Sequence, residues 1–250
     1  MVSPHPDTVL LRVEALAKHF GGVRALDGVT LDVRGGETLG LIGPNGSGKT
    51  TLVNCVSGVL RPSAGTVRLE ESDITGWSRV RRARTGLVRT YQSLRLFQHM
   101  TAAENIEVGL LNVMPRAGAT RRRAVSEALE LQELGAVARV CVSQLAYGQQ
   151  RRVEIARAIV SRPRVLLLDE PAAGLGEDET RVLQETLVRA RNELGFAMVM
   201  IDHDVSLIMR ISSRVVALHE GKILAEGSPI EIAAHPDVIA VYLGTAEQAA

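Results

Sequence analysis

The 250 residues are 46% hydrophobic and 23% charged, an ordinary globular balance at the upper edge of what one core holds. Lys and Arg number 29 against 28 Asp and Glu, a net charge of +1, which leaves no basic surplus for nucleic acid. The two cysteines, Cys55 and Cys141, are far apart and lack CxxC spacing, so nothing suggests a disulfide framework or zinc site; both read as buried small apolar residues.

Met1 to Asp7 carries two prolines and an acid before any apolar run, unlike a signal peptide. Short strands follow at Val9 to Ala15, Leu26 to Val33, Thr38 to Ile42 and Gly65 to Leu69, with Asp27-Gly28 and Gly35-Gly36 as turn sites. Between the third and fourth strands, Gly43-Pro44-Asn45-Gly46-Ser47-Gly48-Lys49-Thr50 matches G-x-x-x-x-G-K-[ST]. A strand ends before it at Ile42 and an amphipathic helix runs from Lys49 toward Ser57, with Thr51 in its first turn. Small residues let successive N–H groups converge on phosphates, and the helix N-terminus adds partial positive charge. Lys49 is placed to bridge the β- and γ-phosphates of a nucleotide, and Thr50 to ligate Mg²⁺ through its hydroxyl.

The basic runs Arg79 to Arg84 and Arg121 to Arg123 read as solvated helix faces. Thr101-x-x-Glu104 is a capping box that opens a helical region reaching about Ser161, with Thr120 to Leu134 its long uninterrupted run. Within it, Leu145 to Ala158 is a glycine-containing turn opening a helix whose apolar face is Val153, Ala156 and Val160. The exposed N-terminus of that helix suits a γ-phosphate, and the helix ends before Pro163.

Val165 to Leu168 reads as a strand buried on both faces that delivers Asp169 and Glu170, 120 residues after Lys49 (169 − 49). Asp169 is expected to hold Mg²⁺ through water, and Glu170 to act as general base on the attacking water. Helix Glu177 to Leu194 leads to strand Ala197 to Ile201, which brings Asp202-His203-Asp204 to the same sheet edge. His203 stands where its two ring nitrogens could sense phosphate and water. Helix Val205 to Met209 and strand Arg214 to Leu218 complete the alternation, which implies a mainly parallel sheet interrupted by a helical insert. The longest apolar stretches are strand-length, so the chain is expected to be cytoplasmic and to reach a membrane only through a partner.

In this order the motifs resemble the ABC ATPase family along nearly the whole chain. The family signature Leu-Ser-Gly-Gly-Gln is answered by Leu145-Ala146-Tyr147-Gly148-Gln149. The resemblance implies an α/β fold: a P-loop NTPase (RecA-like) core with an antiparallel β subdomain and an inserted α-helical subdomain. One domain would cover residues 8–250, the core and β subdomain at about 8–94 and 160–250 and the helical subdomain at about 95–159. It implies ATP and Mg²⁺ as cofactors and Lys49, Glu170 and His203 as catalytic residues, His203 being the switch histidine. It further implies that Phe20 stacks on adenine and that Gln92, in Arg89-Thr90-Tyr91-Gln92, senses Mg²⁺ and the membrane partner.

Two such chains, identical or not, would sandwich two ATP molecules, with residues 145–149 of one closing on the nucleotide of the other. Transmembrane permease subunits and an extracytoplasmic solute-binding protein would complete a complex at the cytoplasmic face of the cell membrane. Within the family, Tyr147 to Arg152, Arg95-Leu96-Phe97, and Pro236 to Ile239 before Tyr242-Leu243-Gly244 look like the branched-chain amino acid importers. Lipopolysaccharide-export and urea or amide systems are similar over the same stretches. A non-transport member of the family is the rival from another class; the long coiled coils, duplicated cassettes and basic patches of such proteins are not seen here. No Asn-Lys pair exists to read guanine, and a small-molecule kinase leaves the signature helix unexplained. Two departures stand out: Ala146 replaces the signature serine and removes its hydroxyl, and Gly176 replaces an aspartate that couples the two sites.

Overall fold

The structure, a computed structural model, describes residues 8–111, 113 and 118–247, with side chains described as far as 242. The segment Met1 to Asp7, and the side chains of Leu243 and Gly244, lie outside the described residues.

The first strands form a sheet of their own. β1 (Val9–Phe20) and β2 (Val23–Arg34) make a long hairpin about Gly21-Gly22, and β4 (Ala64–Leu69) and β5 (Ser72–Asp73) complete the antiparallel order β2-β1-β4-β5. Asp27-Gly28, expected as a turn, lies inside β2 instead. Pairing slips there from Leu16 opposite Val29 to Lys18 opposite Leu26, and Gly28 sits at φ 75°, so the dipeptide is a β-bulge. Gly35-Gly36 is the turn its sequence suggested.

The second sheet has the order β10-β9-β3-β8-β7-β6. Its members are β3 (Thr38–Ile42), β6 (Leu87–Arg89), β7 (Val165–Asp169), β8 (Ala197–Ile201), β9 (Arg214–His219) and β10 (Lys222–Gly227). All pair in parallel except the edge strand β10. β3, β7 and β8 are buried at every residue, as strands covered on both faces must be. The helices are α1 (Lys49–Ser57), α2 (Arg79–Arg84), α3 (Ala102–Val108), α4 (Ala119–Leu131), α5 (Tyr147–Ile159), α6 (Glu177–Leu194), α7 (Val205–Ile211), α8 (Pro229–Ala233) and α9 (Pro236–Glu247).

Three apolar clusters fill the protein. One lies between the two sheets around α1, with Val13, Leu52, Val56, Leu167 and Val199. The second covers the opposite face of the main sheet, where Leu166, Leu168, Leu187 and Ile208 meet α5, α6 and α7. The third holds the helical segment together through Ile106, Leu129, Leu134 and α5. α5 serves two clusters at once: Ile155, Ala158 and Ile159 face the sheet, while Val153, Ala156 and Val160 face α3 and α4.

Two expectations about charge are corrected. Arg82 is 1% exposed, its guanidinium donating to the carbonyls of Thr75, Trp77, Cys55 and Val56, so it caps the C-terminal end of α1. Arg121 is 7% exposed and pairs with Glu107 at 3.3 Å. Neither run is simply a solvated face, because helix-end carbonyls and a carboxylate satisfy these cations inside the protein. Of the cysteines, Cys55 is buried as expected; Cys141 is only half-buried, paired by a bridge to Thr101. α4 stops at Leu131 rather than Leu134, where Glu133 turns to φ 53°.

Candidate functional site

The octapeptide after β3 wraps the N-terminus of α1. Gly48 caps that helix at φ 106°, and a Cβ there would come within 2.6 Å of the Ala25 carbonyl, so only glycine lets β2 lie this close. No acid occupies the first turn of α1, leaving the helix's positive end for an anion. Lys49 Nζ donates to the carbonyls of Gly43 at 2.6 Å and Pro44 at 3.0 Å, and to Ser47 Oγ at 3.5 Å. Burial lowers the pKa of the Lys49 ammonium, and Glu170 partly opposes that shift. At the other end of the loop, Gly43 N–H donates to the Tyr242 hydroxyl of α9 at 2.7 Å, and burial raises the pKa of that phenol. A cavity of about 260 Å³ is lined by Asn45 to Thr51, by Ala25, and by Glu170, Ile201, Asp202 and His203.

Parallel pairing of β7 with β8 sets Asp169 opposite Ile201, so Asp169-Glu170 and Asp202-His203 leave the sheet side by side. Glu170 stands at φ 49°, strained for a residue with a side chain, and its N–H is held by the Ile201 carbonyl at 2.8 Å. Its carboxylate lies 2.9 Å from His203 Nε2 and accepts from Gln92 Nε2 at 2.6 Å. Asp169 is engaged by Arg89 at 2.6 Å, and the same guanidinium donates to Asn54 Oδ1 and Ser57 Oγ of α1. Asp202 accepts from the N–H of Ala172 at 3.0 Å and so secures the loop after β7.

The hydroxyl of Thr50 and the carboxylate of Glu170, which line the cavity, are hard oxygen donors that fit Mg²⁺ rather than a soft metal, while Asp169, expected as a ligand through water, lies off the cavity lining and is paired with Arg89. Among the described residues, no group of three or more His, Cys, Asp or Glu converges as a protein-only metal site. An ion here would share its shell with phosphate oxygens and water, as Mg²⁺ usually does.

The other expected site residues lie outside this cavity. Gly43 and Pro44 line a neighbouring one of about 300 Å³ with Asp202, His203 and Tyr242. Gln92 reaches the site only through Glu170. Phe20 is 46% exposed at the end of the β1–β2 hairpin, with Lys18 Nζ 5.0 Å from its ring centre. None of Leu145 to Gln149 lines the cavity. Their turn opens α5: Gln149 Oε1 accepts from Ala146 N–H at 3.2 Å, while Ala146 has no side-chain oxygen to accept in return from the Gln149 N–H. Gly148 is buried against Glu179, whose carboxylate would have to swing aside for a side chain there, and Glu179 in turn caps Gly176 at 3.2 Å. Arg89, Asn54 and Tyr242 are site neighbours that reasoning from sequence missed. Nothing in spacing or composition marks them; only their tertiary partners do.

Residues 26–173 match the ABC transporter family, and residues 222–248 match the branched-chain amino acid ATP-binding cassette transporter family. The chain is 44% identical over 252 residues to the high-affinity branched-chain amino acid transport ATP-binding protein LivG of Salmonella typhimurium, covering 95% of this chain and 98% of that one. It is 43% identical over 251 residues to BraF of Pseudomonas aeruginosa, which bears the same description, with the same coverage. Among solved structures, MJ1267, an ATP-binding cassette of an ABC transporter in its ADP conformation, superposes with TM-score 0.86 at 29% identity, over 95% of this chain and 99% of that one. The dimeric post-hydrolysis state of the cassette MJ0796, bound to ADP and Pi, superposes with TM-score 0.77 at 26% identity, over 88% and 99%.

Proposed function

The chain belongs to the ABC transporter family of ATP-binding cassettes, and from that premise we propose that its ATP hydrolysis drives import of branched-chain amino acids. The observation that carries the mechanism is the Glu170 carboxylate, held between His203 and Gln92 at the mouth of the phosphate-loop cavity. There it takes the proton of the attacking water, with His203 and Gln92 fixing its direction. Lys49, now bound to loop carbonyls, turns to the β- and γ-phosphates. Phe20 stacks on the adenine ring beyond the hairpin end. Thr50 and Asp169, with Gln92, would hold Mg²⁺, whose chemistry there would be charge neutralisation at the phosphates.

The signature turn lies off its own chain's cavity, which supports a second copy or a related subunit completing the site, with Leu145 to Gln149 facing the partner's nucleotide. Among the described residues no helix is long and apolar enough to cross a membrane, so association with the bilayer is peripheral, through permease subunits at the cytoplasmic face. A solute-binding protein on the far side delivers the amino acid. The solute assignment is supported by identity spread along the whole chain and by the 222–248 match.

Uptake by vesicles containing the permease and this subunit tests it: radiolabelled leucine, isoleucine or valine should accumulate with ATP and stop with Lys49→Ala. ATP-dependent movement of lipopolysaccharide or urea instead would reassign the solute. Recovery of ribosomes or DNA, with no permease, from native membranes would move the chain to a non-transport class.

A further inference from the structure

Gln92 sits in a stretch, Thr90 to Phe97, that has neither helix nor strand, yet its carboxamide must be held at 2.6 Å from Glu170. Backbone without a ladder needs other partners, and α5 supplies them. Arg151 Nη1 donates to the Tyr91 carbonyl at 3.1 Å, and its Nη2 donates to the Gln92 carbonyl at 2.9 Å. The same two nitrogens reach Glu154 Oε2 at 2.9 Å and the Tyr147 hydroxyl at 3.2 Å. Three residues after Glu154, Arg157 Nη1 donates to the Arg95 carbonyl at 2.6 Å, while Glu154 itself accepts from the Arg95 backbone N–H. The side chains of Arg151 and Glu154 are 1% and 3% exposed, so water does not compete for these bonds.

The guanidinium suits the task because two of its nitrogens, fixed in one rigid plane, serve four acceptors at once; an ammonium has three donors on a single atom and cannot keep all four. Its fourth arm leads elsewhere. Tyr147 is the central residue of the signature turn, and its ring packs on Gly174 in the loop that follows Glu170. One buried cation therefore touches the segment carrying Gln92 directly and the segment leaving Glu170 through a single aromatic ring. It does so from the helix whose N-terminal turn faces outward.

We propose that Arg151 is the positioning residue that couples the signature helix to hydrolysis, by carrying the glutamine loop with α5 and so setting the Gln92–Glu170 contact. The proposal rests on the roles given above to Glu170 and Gln92. Movement of α5, whether from a nucleotide on its N-terminus or from a partner on the helical segment, drags Tyr91 and Gln92 with it. The Gln92–Glu170 bond makes and breaks accordingly, and the general base is oriented only when the signature turn is seated.

Two variants of the full chain separate this role from mere support of the fold. Arg151→Lys keeps the charge facing Glu154 but, with three donors on one atom, cannot keep all four of the bonds that Arg151 makes. Arg151→Gln with Glu154→Gln removes the two charges of this pair together, and Arg157 keeps its bond to the Arg95 carbonyl while losing the carboxylate beside it. Each should lower kcat by up to about 10²-fold, the scale of a small misplacement of a catalytic group, with the ATP dissociation constant unchanged and the variants, though less stable, fully folded at the assay temperature. Placed on a Gln92→Ala background, Arg151→Lys should cause no further loss, because both changes act through one contact. Losses that multiply, or a kcat equal to wild type in both variants, overturn the proposal. Glu170→Gln is measured alongside. Full activity there overturns the reading of the site and this proposal with it, whereas a Glu170-dependent activity with multiplying losses overturns this proposal alone.

Discussion

Arg89 and Asp169 meet at 2.6 Å with side chains only 7% and 9% exposed, so the residue that ends the central strand β7 is one half of a buried ion pair. Asn54 and Ser57 share the same guanidinium, which ties the edge strand β6 and the helix behind the phosphate loop to that carboxylate. Removing one partner strands the other in a medium that solvates it poorly. Arg89→Met should therefore cost about 3–5 kcal/mol of stability, and Arg89→Met with Asp169→Asn should recover much of it. Urea unfolding reads both; a single variant as stable as wild type would show the pair to be dispensable.

Lys49→Ala removes the one ammonium lining the phosphate-loop cavity. Hydrolysis should be abolished and ATP affinity weakened, since the backbone amides and the α1 dipole remain but the point charge does not. Turnover at the wild-type rate would sink the assignment of this loop to the phosphates.

Glu170→Gln keeps the size and most hydrogen bonding of the side chain but cannot accept a proton. Hydrolysis should fall by roughly 10²–10⁴-fold while ATP still binds. Nucleotide that is held and not consumed bridges two chains and stabilises their pairing by mass action. Size-exclusion chromatography with ATP and Mg²⁺ should show the variant as a dimer. A dead variant that elutes as a monomer would point to the hydroxyl missing at Ala146.

Phe20→Ala should weaken ATP binding by about 1–3 kcal/mol, the range for base–aromatic stacking, with kcat at saturation little changed. The ring is half exposed beside Lys18 and supports no core, so the fold should be untouched. Equal affinities in an ATP titration would leave the ring as ordinary surface.

The strands of the main sheet were legible where burial is complete. β7 and β8 are unbroken apolar runs up to Asp169 and Asp202, whose residue type announces chemistry, and the fully buried β3 runs straight into the glycine-rich octapeptide. β6 was not legible, because Leu87–Arg89 is short and ends on a cation that makes sense only once Asp169 is beside it. Arg82 misled for the same reason: a charged run reads as surface until the end of α1 is found against it. Asp27-Gly28 misled differently, since a bulge and a turn ask the same positive φ of glycine, and only the partner strand tells them apart. Gln92 could be singled out by resemblance alone, for its value lies in reaching Glu170 across 78 positions of sequence.

The bond from Gly43 to Tyr242 spans 199 positions, which has a consequence for how the protein is made. At roughly 5–20 residues per second, a ribosome needs on the order of 10–40 s between the two residues. β3 also waits for β8 and β9, its neighbours on either side, both encoded far downstream. A nascent chain thus carries its phosphate loop for most of translation without the strands that flank it or the phenol that closes its first turn. Closure of the phosphate loop therefore waits for Tyr242, and a product stalled before it should expose bare strand edges to chaperones rather than the finished loop.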